Sequence, residues 1–567
     1  MAKASVETLA SRIDQARGHA AADLVVKGGR VLNIPLGELE EADVAICGDT
    51  IVGVGADYTG TREIDARGRV VVPGFVETHV HVESTMVQPA EYERLVLPRG
   101  TTTAICDPHE IANVLGLEGL RYFLASAEAA RFDLRVQLSS CVPATHLETA
   151  GANLSAADLL TLRDHPKVLG LAEMMNFPGL LAKDPSVLEK VAAFSDGHID
   201  GHAPLVRGRD LCAYAACGIR NCHESTNIEE AREKLARGLQ VLIREGSVAK
   251  NLDTLLPLLT ERTWPFLAFC TDDRNALEIL EEGHLDHLIR RAIAAGVPPA
   301  TAYRTVSWSA ARAFRLHDRG MIAPGQRADL VVLADWEACA VERVVAAGIP
   351  VEAAAPAAAP APVGLHSVRL APVSPETFRI PAGWSAPTIG ALAGSLLTEA
   401  LPLQAPVRAG QRVSDPAGDV LKVAVLERHR GTGNVGRGFV HGFGLQRGAL
   451  AASVGHDSHN VIVVGTNDAD MAAAVNRLIE LHGGFVAAAD GAVLADLALP
   501  LAGLMSLRPA AEVAADLRRL HAAARGLGCR LDDPFLQLAF LPLPVIPHLK
   551  ITDRGLVDVD RFELLAA

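Results

Sequence analysis

The chain has 567 residues, a mass of 59.8 kDa and a formal net charge of −14, from 53 basic and 67 acidic side chains. This acidic balance argues against a nucleic acid as partner, because binding its backbone needs a cationic face. The 15 Phe, 5 Tyr and 4 Trp residues are also too few for base-stacking platforms. At roughly 150 residues per domain, the length predicts three to four domains, or one large barrel with additions.

The sequence shows neither the pattern of a membrane helix nor that of a secretory signal. No uncharged apolar run reaches the roughly 18 residues that a membrane helix needs, so we expect no membrane partner. The first 23 residues include Glu7 and Asp14 and lack an apolar centre, which predicts a short amphipathic helix. The nine cysteines are scattered without a CxxC pair, which is typical of a reduced, cytoplasmic compartment.

Short runs rich in Val and Ile, broken by Gly and Asp, begin the chain and return at 324–334. Two β-rich pieces that flank a long middle segment are typical of a small sheet domain interrupted by a barrel. We predict that residues 1–72, with an N-terminal helix in 1–20, and residues 321–375 form one composite β-sandwich domain.

The middle of the chain, residues 73–320, alternates short apolar strands with helical stretches. This alternation predicts a parallel sheet, and eight units in about 250 residues predict a closed (β/α)8 TIM-like barrel. An open doubly wound sheet is the alternative, but no GxGxxG follows the first strand. The candidate strands are 71–81, 101–106, 135–142, 168–175, 198–203, 219–224, 241–246 and 266–272.

A third region follows an Ala/Pro-rich linker at 351–364. It mixes β runs at 420–429 and 460–467 with helical patterns at 468–484 and 510–526. We predict an additional C-terminal α+β domain over residues 385–567. The whole chain is therefore expected to be an α/β protein with a barrel, a split small β-sandwich and this C-terminal domain.

Ionisable side chains end five of the predicted barrel strands. Period-two geometry points His79 and His81 to the same face, and strand ends of a barrel meet at one mouth. One such histidine alone is usually a packed or surface residue, but burying six ionisable groups without a metal would leave unpaired charge at a large cost. The set predicts a site for a divalent first-row metal. It consists of His79, His81, Glu173, His202, His223 and Asp272.

Longer motifs extend this pattern over nearly the whole chain. PGFVETHVHVES, TTTAICDPHEIANVLG, LAEMMNFPG, DGHAP, NCHES and FCTDDR lie in the barrel segment, and HDSHN and LPVIPHLK lie in the C-terminal segment. Together they resemble the family of bacterial adenine deaminases, in the amidohydrolase superfamily of metal-dependent hydrolase barrels. HxH alone occurs in many hydrolases, whereas DPHEIANV together with HDSHN is far more specific.

The resemblance implies two divalent cations per subunit, Mn²⁺ or Fe²⁺, with Zn²⁺ as an alternative. It assigns His79, His81 and Asp272 to one cation, His202 and His223 to the second, and Glu173 to both as a bridge. Many relatives use a carboxylated lysine as the bridge, but here Lys167 lies too far from the end of its strand. A mononuclear site with Glu173 as a proton donor stays open. The resemblance also implies a homodimer or a larger homo-oligomer.

The implied reaction is the hydrolytic deamination of adenine to hypoxanthine and ammonia. Divalent cations lower the pKa of a bound water toward about 7, and the hydroxide would attack C6 of the purine. We expect Asp272 to accept the proton and pass it to the leaving ammonia. Negative charge then develops at ring nitrogen N1, and we expect Glu110, with His109 beside it, to bind substrate or transfer a proton there. The same DPHE segment is also typical of a helix N-terminus.

Several interpretations compete with these assignments. The HDSHN segment, 456–460, could close the barrel mouth as a lid, hold an accessory metal, or form only a polar turn. A cyclic amidohydrolase of the hydantoinase or dihydropyrimidinase type, or a deaminase of another 6-aminopurine, could use the same barrel. A barrel that kept its fold for assembly alone would not need the complete ligand set. A cytidine-deaminase-type zinc enzyme is excluded, because no PCxxC occurs.

Overall fold

The computed structural model describes residues 4–353 and 358–565. Residues 354–357 of the predicted linker therefore lie outside the described residues, as do the ends of the first and last predicted domains. The first element is a helix, Val6–Ala16, which begins after Ser5 because the Ser5 hydroxyl accepts a hydrogen bond from the Thr8 amide.

Two distant pieces of the chain form one eight-stranded sheet. The central pairing joins Val70–Pro73 antiparallel to Leu330–Asp335, which lie on either side of the barrel segment. The short strand Glu63–Asp65 pairs parallel with Leu24–Asn33. This sheet therefore places the start and the end of the barrel side by side. The order of the other strands is Ile349–Pro350, Ala340–Ala346, Leu330–Asp335, Val70–Pro73, Leu24–Asn33, Glu38–Cys47 and Thr50–Gly55.

Eight parallel strands form the barrel. The first five pair in one run and the last three in another, and the ring closes where the Asp272 amide donates to the His79 carbonyl at 3.0 Å. Between the fifth and sixth strands, the Gly201 amide donates to the side chain of Asn221 at 2.9 Å. The closed ring confirms the predicted barrel, and the open sheet is wrong. The strands are Phe75–Val80, Thr101–Cys106, Asp133–Leu138, Val168–Met174, His198–Gly201, Asn221–Cys222, Gln240–Arg244 and Leu267–Cys270.

The predicted first strand, 71–81, is wrong as one element, because the chain divides at Gly74. Val70–Pro73 belongs to the small sheet and Phe75–Val80 to the barrel. The Gly74 amide donates to the Asp329 carbonyl at 2.9 Å. A Cβ at position 74 would lie 2.1 Å from the Thr102 hydroxyl oxygen, so this crossing between domains requires glycine.

Helices surround the barrel and carry their apolar faces inward, as the alternation predicts. Their starts follow local capping chemistry: the Asn275 side chain accepts from the Glu278 amide, just after the eighth strand. A π-helical turn, Thr305–Ser309, joins two of the last helices. The helices are Pro89–Val96, His109–Leu115, Leu117–Ala129, Ala156–Leu160, Phe177–Leu181, Pro185–Ala193, Gly208–Ala216, Ile228–Ala236, Leu252–Leu255, Ala276–Glu281, Leu285–Ala294, Pro299–Arg304 and Ala310–Ala313.

The C-terminal region is a further α+β unit built on an eight-stranded sheet. Helices Asp468–Glu480, Ala510–Gly526 and Pro534–Ala539 pack in this region, and a hairpin, Leu549–Thr552 with Gly555–Asp558, follows them. The sheet order is Thr398–Leu401, Thr388–Ala391, Val435–His441, Leu421–Leu426, Val461–Gly465, Ala449–Ala452, Gly484–Ala489 and Ala492–Ala498.

The C-terminal unit lies against the loops that follow the barrel strands. The Asn460 side chain donates to the Thr149 carbonyl at 2.8 Å, and the Thr149 amide donates to Asp553 at 2.9 Å. These bonds attach the unit to the loop after the third barrel strand and bring its residues over the mouth. No helix in the described ranges combines the length and apolar character needed to cross a bilayer.

Candidate metal centre

Three of the predicted residues meet at the end of the first barrel strand. The Nε2 atoms of His79 and His81 lie 3.1 Å apart, because the two side chains project from the same face of the strand. Asp272 Oδ1 lies 3.1 Å from His81 Nε2. The bridge that closes the barrel brings Asp272 to this position, so closure of the ring and assembly of the site depend on the same contact.

Glu173 joins these residues to a second pair of histidines. Its Oε1 atom lies 3.2 Å from His81 Nε2, while its Oε2 atom lies 2.6 Å from His202 Nδ1 and 3.3 Å from His223 Nε2. One carboxylate therefore faces both groups of ligand-type atoms. All six predicted residues lie together and are buried; their assignment as ligands stays a prediction.

The buried groups of the cluster shift one another's pKa values. Burial alone would lower the pKa of His79 and His81, but the nearby carboxylates raise it well above its usual value. Burial alone would raise the pKa of Glu173, but attraction to His202 and His223 outweighs it and holds the pKa well below its usual range. Burial, together with the nearby His79, lowers the pKa of His223 and favours the neutral imidazole that ligates metals. His202 Nε2 is buried without a hydrogen bond. Imidazole and carboxylate atoms in this arrangement fit a divalent cation.

Two further carboxylates border the cluster and were not among the predicted site residues. Asp200 Oδ2 lies 3.7 Å from His79 Nδ1, and its Oδ1 lies 2.6 Å from His198 Nε2. Glu224 pairs with Arg244, whose Nη1 lies 3.0 Å from Asp272 Oδ2. Asp200 lies on the fifth barrel strand, two residues before His202, which follows the end of that strand, so this two-residue spacing was a signal that could have identified it.

Glu110 and His109 lie at the same mouth, at the start of helix His109–Leu115, where Glu110 occupies the first turn. The predicted helix N-terminus is therefore correct. The same two residues also lie at the site, so the two interpretations are compatible. His109 Nδ1 lies 3.0 Å from Asp107 Oδ2 and 3.6 Å from Glu173 Oε1. Burial would lower the pKa of His109, but Asp107, Asp457 and Glu110 raise it well above its usual value.

The HDSHN segment closes the cavity from the C-terminal side. His456 Nδ1 lies 2.8 Å from Glu110 Oε1, and His459 Nε2 contacts the other Glu110 oxygen. Burial alone would raise the pKa of Glu110, but these histidines and His109 hold it well below its usual range. This placement fits the lid interpretation; a metal held here stays a prediction.

Apolar residues of the C-terminal unit complete the wall opposite the predicted ligands. The space between this wall and the predicted ligands is narrow, with a cavity volume of about 20 Å³ in this structure. The Phe540 ring stacks on His456 with centroids 4.2 Å apart and planes 3° apart. Leu396 and Leu543 line the same wall. No sequence signal identifies these three apolar residues, which resemble any core residue in the chain.

Comparisons with known proteins agree with this architecture. The profile of the Amidohydrolase family matches residues 70–351, and that of the Adenine deaminase C-terminal domain matches residues 395–563. A protein of Cereibacter sphaeroides named adenine deaminase is 60% identical over 561 residues, which cover 98% of this chain and 99% of the relative. A protein of the same name from Methylobacterium nodulans is 59% identical over 562 residues, again 98% and 99% of the two chains. The chain belongs to the adenine deaminase family of the amidohydrolases.

Proposed function

We propose that this protein hydrolyses the exocyclic C–N bond of adenine and releases hypoxanthine and ammonia. The observation that carries the proposal is the single Glu173 carboxylate between two histidine pairs, in a small cavity closed by the family's own C-terminal segment. Membership of the family supports a hydrolase acting on C–N bonds and a purine base as substrate.

We propose two divalent cations per subunit, Mn²⁺ or Fe²⁺, with Zn²⁺ as the alternative. His79, His81 and Asp272 would hold one, His202 and His223 the other, and Glu173 both. When bound, the cations supply the nucleophile by lowering the pKa of water toward about 7.

Asp272 is proposed to move the proton between the nucleophile and the leaving amine. Burial would raise its pKa, but hydrogen bonds with His79 and His81 and the charge of Arg244 hold the pKa well below its usual range. The carboxylate is therefore ionised at neutral pH and can accept a proton. Arg244 Nη1 lies 3.0 Å from Asp272 Oδ2. Asp272 Oδ1, which faces the histidines, is therefore the oxygen proposed to accept the proton of the nucleophile.

His109 and Glu110 are proposed to serve the ring nitrogen N1, where negative charge develops. The raised pKa of His109 keeps its imidazole protonated, so it can supply a proton to the ring. The ionised Glu110, 3.4 Å from His109 Nε2, holds that imidazole in place and stabilises its charge. The pair would therefore act together, with Asp107 on the other ring nitrogen.

The test is ammonia release from adenine by enzyme purified from Mn²⁺-supplemented cells. We expect turnover of adenine and none of a hydantoin or a dihydropyrimidine. Ring opening of a cyclic amide without ammonia release from adenine would overturn the proposal. Ammonia release from adenosine and from 2,6-diaminopurine, measured in the same way, would show which 6-aminopurines the enzyme accepts.

The cation count has its own experiment. After chelation and dialysis we expect activity to be lost and to return as two equivalents of Mn²⁺ or Fe²⁺ per subunit are added back, with metal analysis as the measurement. Full activity at one equivalent of metal per subunit would contradict the binuclear site and support a mononuclear one. We also propose a homodimer or a larger assembly, which sedimentation would measure. The nine free cysteines support a reducing, cytoplasmic compartment.

A further inference from the structure

Lys550 is a buried lysine without a carboxylate partner, at the edge of the substrate cavity. It is 0% exposed, and its Nζ atom donates to the Leu396 carbonyl at 2.8 Å and to the Phe540 carbonyl at 3.0 Å. None of the ion pairs found among the described residues includes it. Burying an ammonium without a counter-ion is costly, so burial at this place favours the neutral amine.

Both acceptors belong to residues that line the cavity. Leu396 precedes the strand Thr398–Leu401, and Phe540 follows the helix Pro534–Ala539. These two segments are about 140 residues apart in the chain, and Lys550 ties their backbones to the hairpin strand Leu549–Thr552. That hairpin is itself attached to the barrel, because the Thr552 hydroxyl donates to the Leu147 carbonyl at 2.7 Å.

A chain of contacts joins Lys550 through Phe540 and His456 to Glu110. Phe540 stacks on His456, and His456 lies 2.8 Å from Glu110 Oε1. A shift of the Phe540 backbone would therefore move both the apolar wall and the imidazole that holds Glu110. Leu396, tied to the same Nζ atom, would move with it.

We propose that Lys550 is a positioning residue that holds the C-terminal wall of the substrate cavity at the right distance from the metal centre. It acts through Leu396 and Phe540 and touches neither substrate nor metal. Its two acceptors match the two N–H groups of an unprotonated amine, and burial lowers the pKa of Lys550 to about 7. This inference rests on the proposed function, since it concerns the binding of the purine.

The test compares Lys550→Met and Lys550→Gln with the control Lys422→Met in the full-length metal-loaded enzyme. Lys422 is a second buried lysine of the C-terminal unit, paired with Asp468 at 2.6 Å and away from the cavity. We expect Lys550→Met to raise KM for adenine about tenfold, as loss of two hydrogen bonds displaces the wall, with kcat within about threefold and unchanged metal content. Lys550→Gln keeps two N–H donors and should recover part of the loss. Lys422→Met should lower the melting temperature without changing KM.

Two outcomes overturn the inference alone. One is an unchanged KM in a folded Lys550→Met enzyme, or in Lys550→Leu if the Met variant does not fold. The other is an equal rise of KM in Lys422→Met, which would indicate a general loss of packing. A wild-type enzyme that releases no ammonia from adenine overturns the proposed function and this inference with it, so the two failures are separate.

Discussion

The two walls of the cavity are built in opposite ways. The barrel wall consists of charged and imidazole side chains at strand ends, held by the regular geometry of parallel strands. The C-terminal wall consists mainly of apolar residues, Leu396, Phe540 and Leu543, from segments with no common element. From this difference we propose a division of work in which the barrel holds the cations and moves protons, while the C-terminal unit selects and confines the base. Variants of the first wall should therefore change kcat and metal content, and variants of the second should change KM.

The largest effect is expected for Asp272→Asn. An amide cannot accept the proton that Asp272 is proposed to carry, so kcat for adenine should fall about 10³-fold or more. The fold should persist, since the substitution keeps the shape of the side chain. Circular dichroism and steady-state kinetics provide the measurement, and near-native turnover would remove Asp272 from its proposed role.

A smaller effect on the same wall is expected for Asp200→Asn. Carboxylates behind ligating histidines fix the ring and raise its basicity, and their loss costs about 10–100-fold in metal affinity. Titration of the metal-free protein with Mn²⁺ would measure this. Asp133→Asn is the matched control, because Asp133 is a buried carboxylate at the start of the third barrel strand, paired with Arg319 at 2.7 Å. It should reduce stability and leave metal affinity unchanged; equal losses in both variants would contradict the role of Asp200.

On the C-terminal wall, Phe540→Leu should raise KM for adenine about three- to tenfold, because the stacked ring pair contributes about 0.5–1.5 kcal/mol. Metal content and kcat should stay near wild type. Phe485→Leu, which removes a ring stacked on Phe535 away from the cavity, is the control. A fall in metal content in Phe540→Leu would break the proposed division between the walls.

The last prediction concerns the pH dependence of stability. The pKa of Lys550 is about 7 in the folded protein against a usual value of 10.5, so the unfolded chain binds more protons between these values. The stability of the wild type relative to Lys550→Met should therefore rise with pH from about 7 to 10, by at most about 1.4 kcal/mol per pH unit. Below pH 7 the difference should be constant. Melting temperatures at pH 7.5 and 9.5 measure it, and a difference that falls with pH would contradict the assignment.

Much of the barrel wall could be predicted from residue patterns. His79 and His81 are two positions apart on a strand, so they share a face wherever that strand lies. Glu173, His202, His223 and Asp272 follow apolar runs, and the parallel topology brings all strand ends to one mouth. Helix His109–Leu115 likewise follows from its local sequence. The division of the first strand at Gly74 was missed, because either half alone is an acceptable strand and only the neighbouring backbone makes glycine necessary.

Sequence alone predicted the ligand-type side chains of the barrel wall, because such residues at the ends of apolar runs carry their own signal. Tertiary structure alone decided the C-terminal wall, the pairing of Asp200 with His79, and the contacts of Lys550. Apolar residues such as Leu396 and Phe540 have no distinctive chemistry, and they come together from segments far apart in the chain. Their place at the cavity depends on how the C-terminal unit packs on the barrel, which is a property of the whole fold and not of any local pattern.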